Sequence, residues 1–362
     1  MTPLEAGLAA IDTATEDPII QAKLRGLLRG YHARWSGVPM TVSGIEQTLT
    51  SDLYNPATKA RSRAVVMAGK LDLQVVEDGR FWICDHKTSS EDIGDPDSAY
   101  WRQLAVEGQH HHYGLLEFLH GRRIEGAIWD VVRKPGISPK QITKADQSAL
   151  FSSKHYFGFS VSDAGLESMR ADGRETPTLY EYRLSYDCTE MRPEWYFQRR
   201  RIARLDDATL EYAEELWGHT QDILLARREN RWPRNSGACL LYGRPCQFLG
   251  ICSGYDDPES ANWKRREWVH PELPVLNGNA GRDVLTSSRV RCFQTCRRKH
   301  FYQYELGLER VEAEDAEALH FGSAWHLAME RYFESQKEDV HVECNDEPVN
   351  AVGCAGYTPA EG

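Results

Sequence analysis

The chain has 362 residues, 43 Lys plus Arg against 54 Asp plus Glu, and a formal net charge of -11. Hydrophobic residues at 41% supply a packed core, which excludes global disorder. No apolar run reaches the ~20 residues of a membrane helix, and a net-acidic chain reaches nucleic acid only through a local basic patch.

The N-terminus shows no basic stretch ahead of an apolar one, so no secretory signal is read there. The expected setting is cytoplasmic and reducing, where disulfides are not expected.

In chain order, residues 17–34 carry apolar residues at helical spacing and predict an amphipathic helix. Residues 42–50 alternate as a strand. Residues 63–87 read strand, turn, strand, with Asp78-Gly79 as the hairpin turn. A long helix is predicted over AYWRQLAVEGQHHHYGLLEFLHG and a buried strand over IEGAIWDVVRK. Residues 134–177 are polar, punctuated by Gly and Pro, and carry no assignment. TLYEYRLSYD reads as a strand and residues 205–230 as a helix. A turn-rich linker is expected at 261–284, two helices at 285–335, and a disordered tail at 336–362.

The chemistry concentrates in the hairpin. A two-residue turn at Asp78-Gly79 sets Glu77 against Arg80 and, further along, Asp72 against Asp85. Opposed like charges destabilise a sheet, and two carboxylates so placed call for a hard divalent cation such as Mg²⁺. Side chains alternate along a strand, so Lys87 shares the face of Asp85 while His86 points away. Such a metal polarises a phosphate, and the lysine stabilises charge developing on it. The plain alternative is an edge-strand salt bridge. Gln109 and Tyr113, four residues apart, share one helical face. His110, His111 and His112 cannot share one and read as surface or packing residues. Cys84 and Cys188 sit apart and read as small core residues.

GKLD (69–72), DHKT (85–88) and Q-x-x-x-Y (109–113) resemble the ordered motifs of the PD-(D/E)XK nuclease superfamily. The likeness is to its RecB-like branch of phage exonucleases and CRISPR-associated adaptation nucleases. The resemblance implies an α/β fold, with a mixed central sheet flanked by helices and a helical, Fe–S-stapled lobe. It implies that Asp72 and Asp85 bind Mg²⁺ or Mn²⁺, that Lys87 is the catalytic lysine, and that Gln109 and Tyr113 support DNA and the site. Glu46, on the preceding strand, is either an additional ligand or a solvated residue.

Cys239, Cys246 and Cys252 supply three thiolates, and a closed metal site needs a fourth. RecB-like nucleases often hold a 4Fe–4S cluster through one cysteine upstream of the core and three downstream. TSSRVRCFQTCRRKHFY resembles the upstream phrase and makes Cys296 the fourth ligand, with Arg297 where the phrase has proline. A structural Zn²⁺ site is the alternative. GSAWH resembles the helix whose histidine joins the catalytic metal, which assigns Gly322 and His326, with Glu330 one turn later.

These phrases stand last where the family has them first. Residues 1–260 then hold the nuclease core and the cysteines. Block 285–335 completes a permuted fold, begins a truncated second copy, or marks a junction in the reading frame. Two basic stretches suit a DNA path or a solvated helix face: Arg199, Arg200 and Arg201, and Arg297, Arg298 and Lys299. The function expected is metal-dependent hydrolysis of DNA at ends or on single strands in recombination, repair or phage DNA processing, with an unspecified helicase or recombinase partner. The alternatives are a non-catalytic DNA-binding accessory protein and a non-functional remnant.

Overall fold

The computed structural model describes residues 1–203, 206–241, 243–271, 273, 281–311 and 317–337. The chain opens with two helices, α1 (Pro3–Ala14) and α2 (Pro18–Trp35), each with proline in its first turn and a side-chain cap, Thr2 and Asp17. Three strands follow: β1 (Thr41–Tyr54), β2 (Arg61–Glu77) and β3 (Arg80–Ser89). Asp78 and Gly79 both take positive φ, 50° and 73°, as a two-residue hairpin turn requires. The β2–β3 ladder runs from Glu77–Arg80 to Leu73–Cys84, so it stops one step short of Asp72 and Asp85.

The sheet is mixed. β1–β2 and β2–β3 are antiparallel, β3 is parallel to β4 (Ile124–Arg133), and β4 is antiparallel to β5 (Phe197–Ala203). A sixth strand, β6 (Asp283–Leu285), lies parallel to β2 at Val65–Met67. β1 lines one edge of β2 throughout, and β6 takes the other edge ahead of β3. Segments far apart in sequence thus share one sheet.

Helices cover both faces. α3 (Ala99–Ala105) and α4 (Gly108–Leu119) stand where one long helix is predicted. Each half buries in a different place, which explains the break. Trp101 and Leu104 join Ile93 and Trp129, whereas Tyr113 and Leu116 join Leu71 and Ile83. α8 (Asp206–Glu229) and α9 (Ser287–Thr295) pack with α4 on that second cluster; α5 to α7 are placed below. α10 (Glu317–Glu334) covers the opposite face. Its Trp325, Ala328 and Tyr332 join Ile11, Leu24, Leu28 and Tyr31. A Cβ on Gly7 would lie 2.7 Å from Leu28 and 3.2 Å from the Ala328 carbonyl oxygen, so α1 and α10 touch only because residue 7 has no side chain.

Other expectations change. Residues 134–177 hold α5 (Lys144–Ser153) and α6 (Asp163–Asp172) around a small core of Ile142, Leu150, Val161, Leu166 and Met169. TLYEYRLSYD is helix α7 (Pro177–Tyr186), not a strand. Thr176 caps it, Pro177 opens it, and Tyr180 and Leu184 bury against α2. The expected linker is packed in its described parts. Trp263–Arg265 pairs with Leu308–Arg310, and His270 and Leu273 are buried. The predicted tail lies outside the described residues beyond Lys337, which bridges to Val42.

Candidate active site

Past Cys84 the hairpin strands part, and a carboxylate takes the place of a ladder bond. The His86 N–H donates to Asp72 Oδ2 at 2.9 Å. Asp85 pairs with Lys87. Gln109 ties that pair together. Its Oε1 accepts from Lys87 Nζ at 2.9 Å, and its Nε2 lies 3.1 Å from Asp85 Oδ1 and 2.9 Å from the Tyr113 hydroxyl. A Cβ at Gly69 would come within 2.7 Å of the Tyr113 ring, so the glycine of GKLD and the tyrosine of Q-x-x-x-Y require each other.

His326, from α10, brings Nδ1 to 3.6 Å from Asp72 Oδ2. Glu46 reaches the same point from β1. Ile45 pairs with Leu73 and Gln47 with Leu71, which sets Glu46 opposite Asp72. Its φ of 49° is unusual for a side-chain-bearing residue, a strain that persists only where the surroundings enforce it. Glu46 also pairs with Lys70. Ligand atoms of Glu46, Asp72 and His326 all lie within 4.8 Å of one another. This triad takes in Glu46, the lesser candidate in sequence, and leaves Asp85 beside it on Lys87.

Burial, then the nearby Asp85 charge, pushes the Asp72 carboxyl up to about 7. Burial, then His86, lowers His326 to about 4 and keeps it neutral at physiological pH. Burial disfavours charge on Lys87, yet Asp85 and Asp72 overcome it and raise its pKa. The site is therefore two buried acids short of positive charge, with a neutral imidazole facing one of them. That donor set fits a hard divalent cation.

A second trio, Cys84, His86 and Asp130, meets the same distance limit but is fully buried. Asp130 already accepts from Arg199 Nε at 3.1 Å, pairs with His86 Nδ1 at 3.1 Å and bonds the Tyr31 hydroxyl. Burial would raise its pKa; Arg199, then His86 and Tyr31, hold it down to about 2.

This network corrects the first basic stretch. Arg199 points inward, its side chain 11% exposed. Arg200 lies over the Trp101 ring and bonds the Pro96 carbonyl, and Arg201 pairs with Glu77. Arg199 is thus held inside the fold, while Arg200 and Arg201 meet their partners nearer the surface. In the second stretch Arg297 pairs with Asp222 and Arg298 bonds the Trp232 carbonyl. Only Lys299 reaches the catalytic cleft, a space of about 1220 Å³.

Lys70, Lys134, Arg266 and Arg291 line that cleft too. Sequence reasoning missed Lys70, Lys134 and Arg266, which come from three separate segments with no run of charge to mark them, whereas Arg291 belongs to the second basic stretch. Cys239, Cys246, Cys252 and Cys296 line one pocket together, with Arg298 and Lys299 in its wall. The three histidines pack: His112 bonds the Ala68 carbonyl and the Tyr212 hydroxyl, and His110 is buried.

A mixed sheet flanked by helices, with acids and a lysine where its strands part, fits a PD-(D/E)XK core. The PD-(D/E)XK nuclease superfamily matches residues 284–353, the segment that carries β6, α9, Cys296 and His326. Proteins of that superfamily are generally nucleases that use Mg²⁺ or Mn²⁺. Neither the curated proteins nor the solved structures give a match. No helix among the described residues is long and apolar enough to cross a membrane.

Proposed function

We propose that this chain is a divalent-metal-dependent deoxyribonuclease of the RecB-like kind, acting on DNA ends or single strands. The observation that carries the reading is one cleft in which Glu46, Asp72 and His326 converge beside the Asp85–Lys87–Gln109 set. Glu46, Asp72 and His326 would hold the ion, with Asp85 as the adjoining acid. A bound Mg²⁺ or Mn²⁺ supplies Lewis acidity toward a phosphodiester. Lys87, its ammonium fixed by Asp85 and Gln109, presents a cation to charge developing on the phosphate. Lys70, Lys134, Arg266, Arg291 and Lys299 neutralise the neighbouring phosphates.

The four cysteines support a 4Fe–4S cluster. Tetrahedral zinc with Zn–S near ~2.3 Å needs sulfurs ~3.8 Å apart. Either group would take the four thiolates that this pocket brings together, and the iron content of the purified protein separates the two. A permuted single fold is supported by β6 on the edge of β2 and α10 against α1. The setting proposed is the cytoplasm of a bacterial or phage-infected cell, in DNA repair or processing beside a helicase or recombinase.

Digestion of labelled single- and double-stranded DNA with Mg²⁺, Mn²⁺ or EDTA tests the activity. Metal-dependent cleavage lost in Asp72→Ala is expected; equal cleavage by the variant, or none by the wild type, overturns the proposal. Anaerobically purified protein should be brown with about four irons per chain; colourless protein with one zinc would replace the cluster.

A further inference from the structure

A hollow of about 550 Å³ opens beside the catalytic cleft, walled by the α3–α4 break, α8 and α9. The two spaces share Glu107, Gln109, Ser287 and Arg291. Gln109 is the residue that ties Lys87 to Asp85, so the hollow begins one side chain from the reacting centre. At the junction Arg291 donates from Nη1 to Glu107 Oε1 at 2.5 Å, which leaves most of its guanidinium N–H donors for a phosphate. Beyond the junction the charge changes sign. Lys70, Lys134, Arg266 and Lys299 line the cleft and not the hollow, where Arg291 stands against Glu107, Glu211 and Glu215.

Carboxylates repel phosphate, so a strand whose backbone follows the cations of the cleft can send only its uncharged bases into the hollow. The volume lies within the ~300–1,000 Å³ of small-ligand sites. Tyr212, with the His111 ring stacked on it at 5.9 Å, and Val290 supply aromatic and apolar surface. Gln103 and Gln294 bring amides, which both donate to and accept from the edge of a base. We infer that this hollow is a nucleobase subsite, which takes one unpaired base from the nucleotide next to the phosphate at the metal triad. This rests on the nuclease reading and deepens it. A base seated there is out of any duplex, so the site takes single strands and frayed ends.

The test uses the full chain, Mg²⁺ and an end-labelled single strand with one internal abasic residue, read as a cleavage ladder beside the intact strand. Wild-type protein should cut one phosphate adjoining the abasic residue at least about fivefold more slowly, the loss of a single base contact, and the rest of the ladder should not change. Ala208, of α8, lines the hollow, and Ala208→Trp fills it without adding charge. This variant should cut the intact strand more slowly by the same factor, and the abasic residue should then cost nothing further. Ala208→Ser keeps the hollow open and should keep the pause. A wild-type ladder without a pause overturns the subsite whatever the variants do, and so does a pause that persists in folded Ala208→Trp. In both cases cleavage itself leaves the nuclease reading standing. A wild type that cuts neither strand refutes that reading, and the subsite falls with it.

Discussion

Asp72 and Asp130 stand on strands either side of β3, the first half-buried at the cleft and the second fully buried, and their carboxyls are displaced in opposite directions, one up to about 7 and the other down to about 2. The difference lies in their partners. Asp130 has Arg199, His86 and Tyr31 around it, so its charge is matched by the protein itself. Asp72 has a backbone N–H, a neutral imidazole and another acid, and His86 and Lys87 offset its burial and the Asp85 charge only in part. Similar residue types within one strand's width therefore give a structural knot on one side and an unfilled demand for a cation on the other. Burial and proximity alone do not separate the two; the count of compensating charge does.

The largest break in this comparison is Asp72→Ala. It should lower metal-dependent DNA cleavage by at least about 100-fold, read by digestion of labelled DNA, with the thermal melt unshifted or slightly raised because a like-charge contact is relieved. Lys87→Ala should lower cleavage comparably but also lower the thermal melt, because it leaves the buried Asp85 without its cation.

Next in size is Arg199→Met. Stripping the cation from a buried pair costs about 3–5 kcal/mol, so urea unfolding should move strongly, while Mn²⁺ affinity of the folded fraction stays put. Weaker Mn²⁺ binding at unchanged stability would reverse the roles assigned to the two aspartates.

Glu46→Ala sharpens the cleft side. Calorimetric Mn²⁺ affinity should drop roughly 10–100-fold. If the affinity holds, the strained backbone at Glu46 serves the strand alone.

The smallest effect extends the comparison to histidines. His86, though burial opposes its charge, is raised by Asp130, whereas burial lowers His112 to about 4 among neutral partners. Between about pH 4 and 6.5 the unfolded chain binds a proton at His112 that the folded chain refuses, so stability should rise with pH across that window. His112→Gln should flatten the slope in melts taken from pH 4 to 7.

The hairpin was readable from the sequence because one dipeptide sets its register, and the opposite pairs follow from Glu77–Arg80 to Leu73–Cys84, though not on to Asp72 and Asp85. Gln109 and Tyr113 were readable because four residues return a helix to the same face. Helix α7 was not: aromatic and β-branched residues suggest a strand, and the contrary signal is only the Thr176-Pro177 cap. Arg199 misled for another reason. A run of arginines looks like a surface, but a strand turns successive side chains to opposite sides, and one faced a buried acid on its neighbour. Glu46 escaped emphasis because no composition rule marks a residue whose backbone is forced to positive φ.

The contact of α1 with α10, made through Gly7, bears on how the protein is born. α1 rests on α10, which is synthesised long after it, and β2 likewise waits for β6. At ~5–20 residues per second, synthesis separates Asp72 from His326 by tens of seconds. For that interval the nascent chain carries its acids without the imidazole that faces them, and its apolar face awaits cover. This order of synthesis leaves a half-built sheet that must be sheltered from aggregation until β6 and α10 arrive.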